Sequence, residues 1–191
     1  MIFSRLFSRS EPESVARTLY AGIVAQARQP ALYVQGGVAD TLEGRFEMVV
    51  LHAALVMRRL RGEAQDGQDL AQGVFDTMFV DMDHSLREIG VGDLSVGKKV
   101  RSMAEAFYGR ARVYDEALNA EGDDRARLLA GALARNVFRT ETPDAQARAL
   151  ACYVLATDLR LADMPADALL AGRAEFPALP DALETTDGTE D

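Results

Sequence analysis

The sequence predicts an all-α protein, a single-domain helical bundle of about six to seven helices. Apolar residues recur at intervals of three and four through most of the 191 residues, which is the spacing of one helix face. No stretch alternates apolar and polar residues, as a β-strand would, for more than a few positions. The composition, 48% apolar and 27% charged, is that of a globular domain and not of a disordered chain.

Capping residues and prolines place the first two helices. Ser10 and Pro12 predict the N-cap and first turn of a helix that ends near Gln29, because Pro30 cannot continue it. Residues 30–39 contain two adjacent glycines, so we expect an extended connection there. The DTLE sequence at residues 40–43 predicts a capping box at the start of the second helix. Its core-facing residues are Phe46, Val50, Ala53, Met57 and Leu60, and Gly62 is the expected stop.

A pair of helices joined by a glycine-rich turn is predicted next. The first covers about residues 68–89 and carries large apolar side chains on one wide face. Gly90 suits the left-handed position that follows the C-cap of such a helix. Ser95 is expected to cap the second helix, whose apolar residues continue to Leu118.

The last third of the chain predicts two more helices, a short helix and a tail. The sequence Gly122-Asp123-Asp124 breaks the chain and caps a fifth helix, and Thr142 with Pro143 starts a sixth in the N-cap and N1 manner. A short helix follows Pro165. Residues 177–191 are acidic with nothing to bury, so disorder is expected there. The predicted boundaries are an N-terminal segment at 1–10, a helical domain at 11–176 and this tail.

Charge and composition exclude several classes of function. A net charge of −9 argues against general nucleic-acid binding, which needs positive charge to replace phosphate counterions. The single cysteine, Cys152, excludes an internal disulfide and is expected to pack as a small hydrophobe. No apolar run is long enough to cross a bilayer. Residues 1–10, with two arginines and no acid, allow either contact with a membrane surface or a frayed or docked terminus.

The stretch GDLSVGKK at residues 92–99 matches seven positions of the phosphate-binding loop GxxxxGK[ST]. Lys99 stands where a magnesium-binding hydroxyl should be, and the stretch follows a predicted helix instead of a strand. We therefore do not expect nucleotide binding. Two alternatives stay open: a helical corner with solvated lysines, or a helix N-terminus that holds one anionic group with Lys98 and Lys99, such as a lipid headgroup or a partner carboxylate.

Asp81, Asp83 and His84 raise the question of a metal site. Only Asp81 and His84 share a helix face, and no nearby cysteine or second histidine completes a ligand set. Asp83 and Arg87, at i and i+4, predict an ordinary surface pair. Asp81 is expected to meet a basic residue of the next helix. We therefore expect no metal and no cofactor.

The remaining candidates are a histidine and a set of methionines. His52 lies beside the core-facing residues of its helix with no acid or nucleophile placed next to it, so a satisfied interior or boundary histidine is expected. Methionines at helical spacing are usually core residues, although methionine-lined faces also adapt to apolar partner segments. Those in question are Met48, Met57, Met78, Met82 and Met103.

The predicted pair of helices between about residue 68 and Leu118, a helical hairpin, also carries an ordered set of longer motifs. They are FDTMF at residues 75–79, DMD at 81–83, LREIGVGD at 86–93, VGKKV at 96–100 and MAEAFYGR at 103–110, preceded by DTLEGRFEM at 40–48. Together they resemble the ubiquinol–cytochrome c chaperone family, the assembly factors for cytochrome b in the respiratory ubiquinol–cytochrome c reductase. The likeness covers about residues 33–118 and continues more weakly to Leu161. Ile89 stands where the family has methionine, a conservative departure.

The resemblance implies a helical chaperone without enzymatic activity that binds newly made cytochrome b at the membrane, with residues 11–176 as the chaperone domain. In mitochondria the family acts with a small partner protein. The short N-terminal region suits a bacterial member on the cytoplasmic side of the inner membrane. An acidic protein with methionine-lined helices would suit the apolar helices and basic cytoplasmic loops of such a client.

The candidate client-binding or hinge residues are Asp81, Asp83, Lys98, Lys99, Arg101, Tyr108 and Arg110. Two other classes of function remain. A lipid- or quinone-binding helical domain at the membrane surface predicts a closed apolar pocket. A helical enzyme predicts titratable groups that converge in one cleft, and the sequence shows no such convergence.

Overall fold

A computed structural model describes residues 10–178, which form α-helices and turns without a β-strand in that range. The helices are α1 (Ser10–Ala27), α2 (Pro30–Val34), α3 (Leu42–Arg61), α4 (Gln65–Glu88), α5 (Asp93–Leu118), α6 (Asp123–Leu133), α7 (Ala145–Asp163) and α8 (Ala166–Leu170). A π-helical turn, Ala134–Phe138, directly follows α6. The prediction of an all-α single domain is confirmed. The expectations for residues 1–9 and for the acidic tail beyond residue 178 lie outside the described residues.

Helix α3 runs through the centre of the domain. Its residues 47–56 are all buried, so this helix has no solvent-facing side over nearly three turns. A helix that is buried all round must be covered by neighbours on every side. Helices α1, α4, α5 and α7 all pack against α3 and provide that cover.

Helices α4 and α5 form the predicted hairpin around a glycine turn. Gly90 adopts a φ of 86°, its N–H donates to the carbonyl of Arg87, and the N–H of Val91 donates to the carbonyl of Leu86, both at 3.0 Å. This is the double hydrogen-bond pattern of a Schellman C-cap, so the predicted role of Gly90 is confirmed. The turn follows a helix, which is not the strand context of a nucleotide-binding loop.

Helix α5 begins earlier than the sequence suggested. Ser95 was expected to be its N-cap, but the N-cap is Gly92 in an extended conformation, and the N–H of Ser95 donates to the carbonyl of Gly92 at 2.8 Å. Ser95 therefore lies inside the first turn. The expectation is wrong because glycine can supply the extended backbone that starts a helix, although it has no side chain to accept a capping hydrogen bond.

The connection after α1 is also more helical than expected. Pro30 is the first residue of the short helix α2, which buries Leu32, so the prediction of an extended chain over residues 30–39 is wrong in its first half. Proline is accepted at the first helical position because its missing N–H would have no partner there. The prediction of a short helix after Pro165 is confirmed by α8.

Two N-caps fall one or two residues beyond the predicted positions. Thr41, and not Asp40, caps α3, and its Oγ1 accepts from the N–H of Gly44 at 3.1 Å. Asp144 caps α7 with Oδ1 at 2.8 Å from the N–H of Ala147, so the predicted start at Thr142 is wrong. In both cases two acceptable capping residues lie within two positions of each other, and the tertiary path of the chain selects one.

Candidate functional site

An apolar cleft of about 170 Å³ lies between α1, α3, α4 and α5. Its mouth is formed in part by Leu42 and Ile89, which are 56% and 59% exposed. The cleft thus presents apolar groups directly to solvent and can accept an apolar group from another molecule. The lining residues are Tyr20, Val24, Arg28, Leu42, Arg45, Phe46, Val49, Asp81, Met82, Ser85, Leu86, Ile89 and Met103.

The five methionines singled out from the sequence divide between the core and this cleft. Met48 and Met78 are fully buried, and Met57 packs against the core. Met82 and Met103 line the cleft from α4 and α5. Because the thioether side chain is unbranched and has three rotatable bonds, these two residues can adjust the shape of the cleft to an incoming group.

Asp81, a candidate from the sequence, lies in the wall of the cleft. Its carboxylate accepts a hydrogen bond of 2.8 Å from the hydroxyl of Tyr20 on α1. The expectation that Asp81 meets a basic residue of the next helix is therefore wrong. Burial and the neighbouring carboxylate raise the pKa of Tyr20, so its hydroxyl stays a donor and the bond ties α1 to α4 beside the cleft.

Asp83 and Arg87 form the predicted surface pair, with Arg87 Nε 2.6 Å from Asp83 Oδ2. Arg87 also bonds to Asp93, the first residue of α5. Hydrogen bonding to the guanidinium lowers the pKa of the Asp83 carboxyl. The arginine thus joins the end of α4 to the start of α5 across the glycine turn.

Arg110 faces into the fold and binds a buried carboxylate. Glu47 is 2% exposed, and its Oε1 lies 2.6 Å from Arg110 Nη2 and 3.2 Å from Arg139 Nη2. Arg139 follows the π-helical turn and has a left-handed φ of 58°. One carboxylate therefore joins α3, α5 and the segment after α6. The sequence analysis missed Glu47 because nothing in the local spacing shows that it is buried.

The other candidates lie on the outer side of α5. Lys98, Lys99 and Arg101 are exposed, and none of them forms an ion pair or a side-chain hydrogen bond with another residue in the range 10–178. Tyr108 is also exposed, and its ring centroid is 5.2 Å from that of Phe75. The structure therefore does not gather the seven candidates into one site. Asp81 and Arg110 have partners inside the fold, and the cations of α5 face solvent.

His52 is the satisfied interior histidine that the sequence predicted. The carbonyl of Met48 can only accept, so the ring Nδ1 at 2.7 Å is the donor. Nε2 then accepts from the hydroxyl of Tyr153 at 2.8 Å, and that oxygen accepts from Gln26 Nε2 at 2.9 Å. Burial lowers the pKa of His52 to about 4, which keeps the ring neutral. Cys152, in contrast, is exposed, so the expectation that it packs as a small hydrophobe is wrong.

A polar network at the end of α3 was also missed by the sequence analysis. Arg58 Nε lies 3.2 Å from Asp158 Oδ1, and Arg58 also bonds to Asp115. Arg61 reaches the same Asp115 at 3.1 Å. The acids are 54 or more residues away along the chain, so only the tertiary fold could reveal these pairs. Their charges compensate one another, as expected of a structural network.

Neither a metal site nor a membrane span is found in the part of the chain that the structure describes. Residues 10–178 contain no group of three histidine, cysteine or acidic side chains placed to hold a metal ion. Over the same range, every helix is too short or too polar to cross a bilayer.

The fold and the cleft define the class of this protein as a single-domain all-α protein whose apolar cleft opens to solvent. Its family follows from comparison with known proteins. The model of the ubiquinol–cytochrome C chaperone family matches residues 34–176, and the chain belongs to that family.

Relatives with assigned names support the same family. A Xenopus laevis protein named ubiquinol-cytochrome-c reductase complex assembly factor 1 is 26% identical over 129 residues, 68% of this chain and 62% of that protein. The human protein of that name is 24% identical over 138 residues, 72% of this chain but 45% of its own length. This chain thus spans less than two thirds of these relatives.

A solved structure is similar over almost its whole length. The crystal structure of a Cbp3 homolog from Brucella abortus superposes with a TM-score of 0.81 at 39% identity. The match covers 94% of this chain and 98% of that one.

Proposed function

We propose that this protein is an assembly chaperone that binds newly synthesised cytochrome b during biogenesis of the ubiquinol–cytochrome c reductase. Membership of the chaperone family supports the general role, and the vertebrate relatives are named as assembly factors of that complex. The identity of the client as cytochrome b rests on the family resemblance of the α4–α5 hairpin. We further propose that the protein acts at the cytoplasmic face of the inner membrane, without enzymatic activity.

The open apolar cleft is the observation that carries this proposal. A membrane protein that has not yet assembled exposes long apolar helices, which need temporary cover. A cavity of about 150 Å³ can hold a benzene-sized group, so this cleft of about 170 Å³ fits one large apolar side chain. We infer that an anchor side chain of a client helix enters between Met82 and Met103 and that the helix lies across the mouth.

Charge complementarity supports the same client class. The cytoplasmic loops of membrane proteins are rich in lysine and arginine. A chain with a net charge of −9 attracts such loops and repels other acidic proteins, which favours encounter with the client over competitors. A small partner protein, as the mitochondrial members have, is a further expectation from the resemblance.

Copurification from native membranes tests the proposal. The tagged full-length protein would be crosslinked, recovered and analysed by mass spectrometry, beside a Leu42→Asp variant and a Val80→Asp control. Leu42 forms the cleft mouth at the first position of α3, where an acid also suits the helix dipole, so the fold should tolerate the change. Val80 is 60% exposed on α4 and does not line the cleft.

We expect enrichment of cytochrome b with the parent and with Val80→Asp. Leu42→Asp should lower recovery about tenfold, the loss expected when one buried leucine contact is replaced by an unfavourable charge. Equal recovery with all three proteins would remove the cleft as the client site. Recovery of lipid or quinone without any respiratory subunit would instead favour the ligand-binding alternative.

A further inference from the structure

The start of α5 carries an exposed surface that combines one apolar side chain with three cations. Leu94, in the first turn, is fully exposed. Lys98 and Arg101 follow at i+4 and i+7 and so lie on the same face of the helix, whereas Lys99 is exposed about 100° further round the helix from Lys98. We call these four residues the basic tip. The seven steps from Leu94 to Arg101 extend about 10 Å along the helix, so Leu94, Lys98 and Arg101 can touch one flat surface, with Lys99 to the side of it.

The cations of the basic tip differ from most others in the described chain. Arg17, Arg45, Arg112 and Arg127 are exposed as well, but each has an acidic partner. Lys98, Lys99 and Arg101 have none within residues 10–178, and no acid occurs between positions 94 and 104. Three uncompensated positive charges thus stand within four residues of a chain whose net charge is −9.

The acidic residues around the tip limit its size. Asp93 is paired with Arg87, which is itself bonded to Asp83. Glu88 is exposed on the other side of the turn, and Glu105 is exposed one turn beyond Arg101. The positive surface is therefore confined to the first two to three turns of α5.

We propose that the basic tip docks on an anionic lipid bilayer. A bilayer surface places negative headgroups directly above an apolar layer, which matches cations arranged beside a fully exposed leucine. Leu94 enters the boundary between headgroups and acyl chains, and the long side chains of Lys98 and Arg101 reach the phosphates around it, while Lys99 adds positive charge at the side of the contact. An acidic protein surface would pair with the cations but would leave the leucine in water.

Docking of the basic tip would also bring the proposed client-binding cleft close to the membrane. Ile89, the C-cap residue of α4 and five residues before Leu94, lines the mouth of the cleft. A tip that rests on the bilayer would hold the mouth of the cleft close to the membrane surface, where a client helix emerges. This second step rests on the proposed function, whereas lipid docking does not.

Vesicle flotation of the purified full-length protein tests the docking surface. Vesicles of phosphatidylcholine with and without phosphatidylglycerol would be compared at low and high salt. The variant Lys98→Gln, Lys99→Gln, Arg101→Gln removes the tip charges. The control Arg127→Gln, Arg148→Gln, Arg173→Gln makes the same change in net charge at exposed arginines of α6, α7 and the C-terminal segment.

We expect binding to the anionic vesicles only, weakened by salt. Each cation near the bilayer should raise the partition coefficient about fivefold, so the tip variant, which lacks three, should lower it on the order of 100-fold. The control variant should change it little. Equal losses in the two variants would mean that only net charge matters, and an undiminished tip variant would place the contact elsewhere, for example at residues 1–10. Either result, or no binding to anionic vesicles, would overturn the proposal.

Tryptophan fluorescence gives an independent readout, because the chain contains no tryptophan. Leu94→Trp should shift its emission to the blue with anionic vesicles and be quenched by brominated lipids. Leu159→Trp, at an exposed position of α7, should not respond. An equal response at both positions, or none at position 94, would contradict insertion of the tip.

The two proposals fail separately. Leu42→Asp should leave vesicle binding unchanged, since Leu42 lies at the cleft and outside the tip. The tip variant should still capture cytochrome b in detergent solution, where no bilayer is present. If the tip variant loses capture in detergent but keeps vesicle binding, the tip is a client contact and the lipid assignment is wrong.

Discussion

Replacement of Arg110 by methionine should destabilise the domain strongly, because it removes the main partner of a buried carboxylate. Glu47 is 2% exposed in the centre of α3, and Arg110 Nη2 lies 2.6 Å from its Oε1. Methionine keeps much of the apolar stem of arginine but has no donor. The change therefore leaves the packing of α5 largely intact and isolates the loss of the ion pair.

The loss of stability depends on how well Arg139, the second arginine bonded to Glu47, can replace Arg110. Loss of one partner from a buried ion pair costs about 3–5 kcal/mol, since an uncompensated charge stays behind. Arg139 remains 3.2 Å from Glu47, but its side chain is 60% exposed, so water screens its charge. We therefore expect Arg110→Met to cost about 3 kcal/mol and Arg139→Met at most about 1 kcal/mol.

Urea unfolding followed by circular dichroism at 222 nm measures both changes by linear extrapolation. The double variant Glu47→Gln, Arg110→Met removes both charges and should be more stable than Arg110→Met alone. Arg127→Met, in an exposed pair on α6, is the surface control and should change stability little. An Arg110→Met variant within about 1 kcal/mol of the parent, or an Arg139→Met variant that is the less stable of the two, would refute the reasoning.

Three further changes test other parts of the structure. The pKa of His52 is about 4 in the fold against 6.5 for the free side chain, so the unfolded chain takes up the proton first as the pH falls. The contribution of His52 to the free energy of unfolding should be fully present above pH 6.5 and should fall by about 3 kcal/mol as the pH is lowered towards 4. His52→Gln should flatten this decline in urea titrations at several pH values, and an unchanged slope would contradict the assignment. Gly109→Ala should raise the free energy of unfolding by about 0.5–1 kcal/mol, because an added Cβ at this position of α5 meets no atom within 4 Å. Gly44→Ala should lower the thermal midpoint, since its Cβ would lie 1.9 Å from the carbonyl oxygen of Ala39; a tolerated Gly44→Ala would show that this close approach relaxes freely.

Local chemistry in the sequence was enough to predict most helix boundaries. Gly90 ended α4 as expected because a residue at positive φ is a requirement of the turn itself. Predictions failed where several local solutions were equivalent. Gly92 and Ser95 could both start α5, and Asp40 and Thr41 could both cap α3, so the path of the chain made the choice.

The site was less predictable because its contacts join distant parts of the chain. Tyr20 and Asp81 are 61 residues apart, and Glu47 and Arg110 are 63 apart. The sequence marked Asp81 and Arg110 as candidate client-binding or hinge residues, but it predicted the wrong partner for Asp81 and none for Arg110. His52 was predicted correctly as an interior residue, although its bond to Tyr153 spans 101 positions.

The cleft itself could be anticipated only in part. Methionine-lined helix faces suggested a groove, but the same spacing also describes core residues. The structure separates the two, because α1, α3, α4 and α5 leave Met82 and Met103 at an opening and bury Met48 and Met78. A one-dimensional pattern contains no information on where neighbouring helices diverge.

Site-specific photocrosslinking tests the central proposal most directly. A photoreactive amino acid would replace Leu42 at the mouth of the cleft or Val80 outside it, in cells that are synthesising the reductase. The proposed function predicts a cytochrome b adduct at position 42 and little or none at position 80. Two results would contradict the cleft as the client-binding site. One is a cytochrome b adduct at position 80 but not at position 42, and the other is a set of adducts at position 42 that contains other proteins and no cytochrome b.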